Sequence, residues 1–283
     1  MDAEIADLLN LLELEPLEVN LFRGESRDVG SSQVFGGQVL GQALTAASAT
    51  ISGRIVHSLH AYFLRRGDFN APIVYQVDRS LDGHTFSNRR VVAIQHGEQI
   101  FNMAASFQIP EAGLDHQLDM PSVPLPEELH DATTPPTEVV RYLPERLRQF
   151  FEKPRPFAFR LVPSNGTQQK PARQIWFKAV GQLPDDERLH RCLLAYASDF
   201  FLLATSILPH DASTVDGRLI MASLDHAMWF HRSLRVDDWL LYDMESPSAS
   251  GARGFARAGV FARDGRLVAT IAQEGLVRIK RGA

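Results

Sequence analysis

The 283-residue sequence holds one cysteine, Cys192. It can close no internal disulfide and build no multi-thiolate metal site, and a reducing compartment fits. No Gly-x-Ser-x-Gly elbow occurs, so a serine-dependent α/β-hydrolase loses its usual support. Walker and His-Glu-x-x-His sequences are missing, and Gly36, Gly37 and Gly41 lack dinucleotide-loop spacing. No metal and no cofactor are expected. Positive charge is not in excess: 29 Lys and Arg against 34 Asp and Glu leave a net −5, which predicts no general attraction to nucleic acid or anionic lipid. Long apolar runs are absent too. The least polar stretch, Leu193 to Leu208, is shorter than the roughly 20 residues of a membrane span and carries Asp199 near its middle, so no stable membrane insertion is expected.

The N-terminal residues start acidic and alternate charge with leucine, which reads as an amphipathic surface helix rather than a secretory signal. The terminal Lys280-Arg281-Gly282-Ala283 matches no peroxisomal tripeptide or prenylation box. The expected location is the cytoplasm.

What is present is ordinary globular composition, 45% hydrophobic and 22% charged, in a chain long enough for about two domains. Seven of the 16 prolines fall between Pro110 and Pro144, among several acidic residues. That segment reads as a linker crossing a surface. The flanking parts look alike. His60 to Arg66 is echoed by His226 to Arg232 at an offset of 166. Each is followed by a second apolar segment, an arginine-bearing alternating strand, a tight turn (His96-Gly97 or Asp264-Gly265) and a closing strand. An internal duplication is inferred. Each copy has a helix before its strands. The first opens at Phe35 with glycines, and Gly37 and Gly41 share a face that permits close approach to a sheet. The second starts at Asp185-Asp186-Glu187, favourable at a helix N-terminus, and runs through Leu189, Cys192, Leu193, Tyr196, Phe200 and Leu203 at helical period. The expected fold class is α+β, two tandem helix-plus-antiparallel-sheet units in one chain: residues 1–110, a linker over 111–150, and residues 151–283.

Three polar residues stand out against this pattern. On the second helix, at about 100° per residue, Asp199 would sit at the margin of the apolar stripe. A desolvated carboxylate there suits a general base, or it is tied to a backbone group or an arginine. Gln273 continues the apolar face of Leu267, Ala269 and Ile271 at period two. Its amide either orients a water or bonds backbone at a strand end. Ser223 is a hydroxyl among Met221, Ala222 and Leu224, with the same pair of readings.

Several stretches, among them LFRGESRDVGSSQVFGGQVLGQAL, VHSLHAYFLRRGD, DGHTFSNRRV, LLAYASDF, ASLDHAMWFHR, SASGARGF and VATIAQEG, run in order from Leu21 to Gly275. In them the sequence resembles the type II acyl-CoA thioesterases, which are built as a double hotdog. The resemblance implies a catalytic trio of Asp199, Ser223 and Gln273; the Ser223 position often carries threonine in that family. It also implies an acyl-CoA substrate, hydrolysis by a directly attacking water without a covalent intermediate, and a homodimer or homotetramer. The oxyanion is expected to meet backbone N–H groups near a helix start. The alternative from another class is a non-hydrolytic acyl-CoA-binding protein on the same fold.

Other candidates compete less well. His57 and His60 could supply a base, but the repeat sets His226 at the position of His60, which points to strand packing. Asp185 and His190 match the Asp-x-x-x-x-His spacing of hotdog hydratases without the surrounding pattern. Cys192 reads as core, since a reactive thiol needs access and a lowered pKa. Arg65, Arg66, Arg89, Arg90, Arg232, Arg253 and Arg257 are candidates for the CoA phosphates.

Overall fold

Segments of helical period form three α-helices among the described residues of the computed structural model, which are 3–28, 33–131, 155–163, 171–210 and 219–279. Helix α1 (Ala3–Leu12) buries Ile5, Leu8, Leu11 and Leu12, the one-sided pattern expected of an amphipathic helix. Helix α2 (Gly36–Ala49) contains no charged residue and is buried almost all round. Its buried Gln42 is satisfied: the amide nitrogen donates to the carbonyls of Leu11 (2.6 Å) and Glu25 (2.9 Å), and the amide oxygen accepts from Tyr75 Oη (2.7 Å). Helix α3 (Glu187–Ala197) is capped by Asp186, whose side chain accepts from the Arg188 N–H.

Among the described residues thirteen strands form one antiparallel sheet. In the first half these are β1 (Glu15–Glu18), β2 (Leu21–Gly24), β3 (Ile55–Phe63), β4 (Ile73–Asp82), β5 (Phe86–Gln95) and β6 (Glu98–Gln108). The second half has β7 (Phe157–Leu161), β8 (Ala172–Ala179), β9 (Leu219–Ser223), β10 (Asp225–Phe230), β11 (Leu240–Ser250), β12 (Arg253–Ala262) and β13 (Leu267–Ile279). The order is β1-β2-β4-β5-β6-β3-β10-β13-β12-β11-β8-β7, with β9 beside β13. The halves therefore join through β3 and β10, where His60 faces Ala227 and Ala61 faces His226.

Strands β3, β4 and β5 correspond to β10, β11 and β12 at an offset of 167, not 166, and β6 corresponds to β13 at 168. β11 starts 167 residues after β4, and β12 starts and ends 167 after β5. The Leu64 and Arg65 N–H groups share the Ile100 carbonyl just as those of His231 and Arg232 share that of Val268. The counterpart of His60 is Ala227. His60 is exposed with its ring edge-on to Trp229, whereas His226 is wholly buried. Because strand side chains alternate between faces, the one-residue difference corrects the equivalence of His60 and His226.

Two further expectations are corrected. The glycine face of α2 meets helix α3 rather than a sheet: a Cβ at Gly37 would lie 2.2 Å from the Tyr196 carbonyl oxygen, and one at Gly41 would lie 3.3 Å from that of Cys192. And α3 stops at Ala197, so Asp199, Phe200 and Leu203 lie beyond it. The connection from α3 to β10 is much longer than that from α2 to β3. It contains a short 3-10 turn (Leu203–Ile207) and β9, and both Asp199 and Ser223 belong to it.

The described part of the proposed linker, residues 111–131, crosses the outer face of the second half. Trp176 Nε1 donates to the Pro124 carbonyl (2.9 Å), Gln117 bonds Gly265 and Leu267, and Arg263 pairs with Glu127 at 2.6 Å. Beneath it, Met120, Val123 and Leu129 pack on a small core of Trp176, Leu241 and Phe261. The rest of the linker, from residue 132, lies outside the described residues, as does the terminal Lys280 to Ala283.

Candidate active site

Asp199 sits in the turn after α3, and the fold carries that turn to the N-terminus of α2. Phe35, the residue preceding α2, offers the helix no side-chain cap. The Gly37 N–H instead donates to Asp199 Oδ2 at 3.1 Å, so a carboxylate from the second half caps a helix of the first, where the helix end favours negative charge. A Cβ on Gly36 would lie 2.6 Å from Asp199 Oδ2; the bare glycines make room for this approach.

The other carboxylate oxygen meets the remaining two polar residues. Gln273 Nε2, on β13, donates to Asp199 Oδ1 at 2.6 Å and to Ser223 Oγ at 3.1 Å. Ser223 Oγ, at the end of β9, donates to Asp199 Oδ1 at 3.3 Å. β9 pairs with β13 so that Ser223 stands opposite Gly275, two residues from Gln273 and on the same face. Gln273 is 0% exposed and its Oε1 has no donor among the described residues. Thus all three side chains singled out in the sequence lie within hydrogen-bonding distance of one another.

Burial pushes the Asp199 carboxyl up to about 6, against the opposing pull of hydrogen bonds from Gln273, Ser223 and Gly37. Desolvation wins because the three donors are neutral and no cation among the described residues pairs with the group. A carboxylate in this range accepts a proton far better than an ordinary surface Asp and is still ionised near neutral pH.

The residue before Asp199 is fastened on every side. Ser198 Oγ lies 2.8 Å from the Ala195 carbonyl and 2.9 Å from His226 Nε2, and its own carbonyl accepts from Tyr242 Oη at 2.6 Å. Burial holds the His226 imidazole down to about 3, so it stays neutral. The sequence marks neither Ser198 nor Tyr242 as a site residue, because a serine near a helix end and a strand tyrosine carry no pattern of their own.

A cavity of about 170 Å³ opens beside the trio, lined by Gly36, Phe63, Phe101, Arg65, Arg66 and Ser223 among others. A larger one, about 790 Å³, lies in the second half around His190, Arg235 and Trp239 and contains none of the three residues. The smaller is the relevant one, since it reaches both Ser223 and the start of α2.

The other candidates are engaged elsewhere. His57 Nε2 bonds Ser106 Oγ (2.8 Å). Asp185 pairs with Arg235 (2.9 Å), while His190 Nδ1 accepts from the Val236 N–H (3.2 Å). Cys192 is buried and its thiol is pushed up to about 11 by desolvation. Among the described residues no cluster of His, Cys, Asp and Glu is arranged to hold a metal, and no helix is long and apolar enough to cross a membrane.

Comparison with known proteins agrees over both halves. A family model described as acyl-CoA thioesterase matches residues 146–276, and one described as acyl-CoA thioesterase N-terminal domain matches 24–108. The chain is 44% identical to acyl-CoA thioesterase 2 of Haemophilus influenzae over 277 residues, covering 96% of this chain and 97% of that protein. It is 42% identical to human acyl-coenzyme A thioesterase 8, covering 95% and 88%. The crystal structure of the acyl-CoA thioesterase II TesB2 from Mycobacterium marinum superposes with a TM-score of 0.82 at 42% identity, covering 97% of this chain and 99% of that one. A hot dog fold protein from Alicyclobacillus acidocaldarius, only 18% identical, superposes at 0.76 over 96% of this chain and 97% of that one, and shows the hotdog fold.

Proposed function

This chain belongs to the acyl-CoA thioesterase family, and we propose that it splits fatty acyl-CoA into free acid and CoA by direct attack of one water held among Asp199, Ser223 and Gln273. The observation that carries this mechanism is the 2.6 Å contact from the buried Gln273 amide to a carboxylate raised to about 6.

A thioester carbonyl is electrophilic, but water is a weak nucleophile. The site must orient a water and take its proton as the carbon is attacked. Asp199 is the acceptor. Ser223 and Gln273 hold its Oδ1 and present a hydroxyl and the free amide Oε1 to the water. As the C–O bond forms, the water proton passes to Asp199 and negative charge appears on the carbonyl oxygen. The N-terminal end of α2 favours negative charge in either place. Collapse of the tetrahedral intermediate breaks the C–S bond. The departing CoA thiolate takes the proton from Asp199, which restores the carboxylate.

The same reading takes the chain as two tandem hotdog units, 1–110 and 151–283, joined by the linker 111–150. The constant offset of 167 between β4 and β11 and between β5 and β12 supports it. In this arrangement only one catalytic set is present, because Asp199 and Ser223 lie in the connection that the first unit lacks. We further place the protein in the cytoplasm as a homodimer or homotetramer; light scattering on the purified chain tests the assembly.

Thiol release from lauroyl-CoA, followed with a disulfide dye, tests the activity. Turnover lost on Asp199→Asn supports the water mechanism. Stoichiometric binding of lauroyl-CoA without thiol release from the wild type selects the non-hydrolytic alternative.

A further inference from the structure

Seven arginines were candidates for the CoA phosphates on sequence grounds, and the structure separates them. Arg65 is held by Glu98 (2.9 Å) and the Gln99 carbonyl. Arg89 is buried against Asp82 and Thr50, Arg232 pairs with Asp115, Arg253 with Glu274 and Arg257 with Glu245. Among the described residues only Arg66 and Arg90 of the seven have neither an ion pair nor a hydrogen bond from the side chain. Of these two, Arg66 alone lines the cavity that reaches Gly36 and Ser223.

The backbone on both sides of Arg66 is tied down. The Leu64 and Arg65 N–H groups bond the Ile100 carbonyl, and the Gly67 carbonyl accepts from the Val34 N–H at 3.1 Å. Farther on, the Asp68 N–H donates to Gln95 Oε1 at 2.7 Å. A guanidinium without an ion pair among the described residues thus stands on a fixed loop at the cavity.

Position along the cavity is consistent with the shape of the substrate. The Phe63 ring lies 3.1 Å from a Cβ placed on Gly36, beside Asp199. Arg66 lies three positions beyond Phe63, at most about 10 Å of chain, and the arginine side chain adds its own length. This length lets the guanidinium stand apart from the reacting carbonyl, as the phosphates of CoA stand apart from the thioester across the pantetheine arm. Arginine forks match phosphate oxygens.

We propose that Arg66 binds a phosphate of the nucleotide end of CoA and so selects CoA esters over shorter thioesters. This rests on the thioesterase reading above, but its test is separable from it.

The experiment compares wild type, Arg66→Ala and Arg66→Lys on lauroyl-CoA, lauroyl-dephospho-CoA and lauroyl-pantetheine. Binding of CoA itself to each protein is measured by calorimetry. In Arg66→Ala the preference in kcat/KM for lauroyl-CoA over lauroyl-pantetheine is expected to fall about 10- to 100-fold, the worth of a charge-assisted hydrogen bond. The loss should fall on KM and be matched by weaker CoA binding, with partial recovery in Arg66→Lys. If the Arg66→Ala effect disappears on the dephospho ester, the 3′-phosphate is the partner; if it persists there, the diphosphate is. An equal loss on CoA and pantetheine esters, or unchanged CoA affinity, overturns the proposal. A wild type that binds CoA through Arg66 yet releases no thiol would overturn the hydrolytic reading alone.

Discussion

Asp199 accepts a 3.1 Å hydrogen bond from the backbone N–H of Gly37, 162 residues away, so the proposed base of the second half completes the helix end of the first. The contact joins stability to chemistry at one atom pair, and separate measurements can pull the two apart.

Asp199→Asn should lower kcat on lauroyl-CoA by about 100-fold or more, the usual scale of a lost general base. Steady-state thiol release checks it; a loss under threefold would remove Asp199 from the base role.

The same carboxyl governs pH dependence. The base must be ionised, so kcat should rise with pH through about 6 and level off above, while falling tenfold per pH unit well below. The stability effect has the opposite sense. A raised carboxyl pKa means that the folded state favours the proton: its stabilisation is full below the unfolded value near 3.8 and is lost as pH rises through about 6. At pH 8, Asp199→Asn should therefore match or exceed the wild type in thermal stability, with a gain of up to about 3 kcal/mol. Melting curves at pH 4 and pH 8 read the difference, which should shrink at the lower pH.

Ser223→Ala removes both the donor to Asp199 and the acceptor for Gln273. We expect about tenfold lower kcat, on the scale of one hydrogen bond, whereas Ser223→Thr keeps the hydroxyl and should retain most of the activity. Equal loss in both variants would point to packing rather than to the hydroxyl.

Gly37→Ala would set a methyl 2.2 Å from the Tyr196 carbonyl oxygen. Separating α2 from α3 to relieve the clash should cost about 1 to 3 kcal/mol, and the Asp199 contact should lengthen with it. Thermal unfolding and kcat should fall together.

Much of this was visible in the sequence because periodicity reports burial. Helix α2, the acidic start of α3 and the inward run of Ala269, Ile271 and Gln273 all follow from spacing. The hairpin at His96-Gly97, with both residues at positive φ (52° and 77°), was marked by its glycine. What could not be read was register. An offset of 166 matches the histidines letter for letter, yet hydrogen bonding selects 167, and one residue reverses the face of every side chain in a strand. Nor could the sequence reveal that α3 ends before Asp199, or that Gly37 faces Tyr196 instead of a strand. Both depend on contacts between segments far apart in the chain.

The β3–β10 seam limits how the chain can be cut. Were the chain divided at the linker, each fragment would present a raw edge, with the main-chain groups of Ser58 to Tyr62 on one and Asp225 to Trp229 on the other stripped of their mates, and such borders invite aggregation. Gene fission is thus closed to this protein unless the fragments assemble as they are made, and a protease nick between them should leave an intact, non-covalent pair.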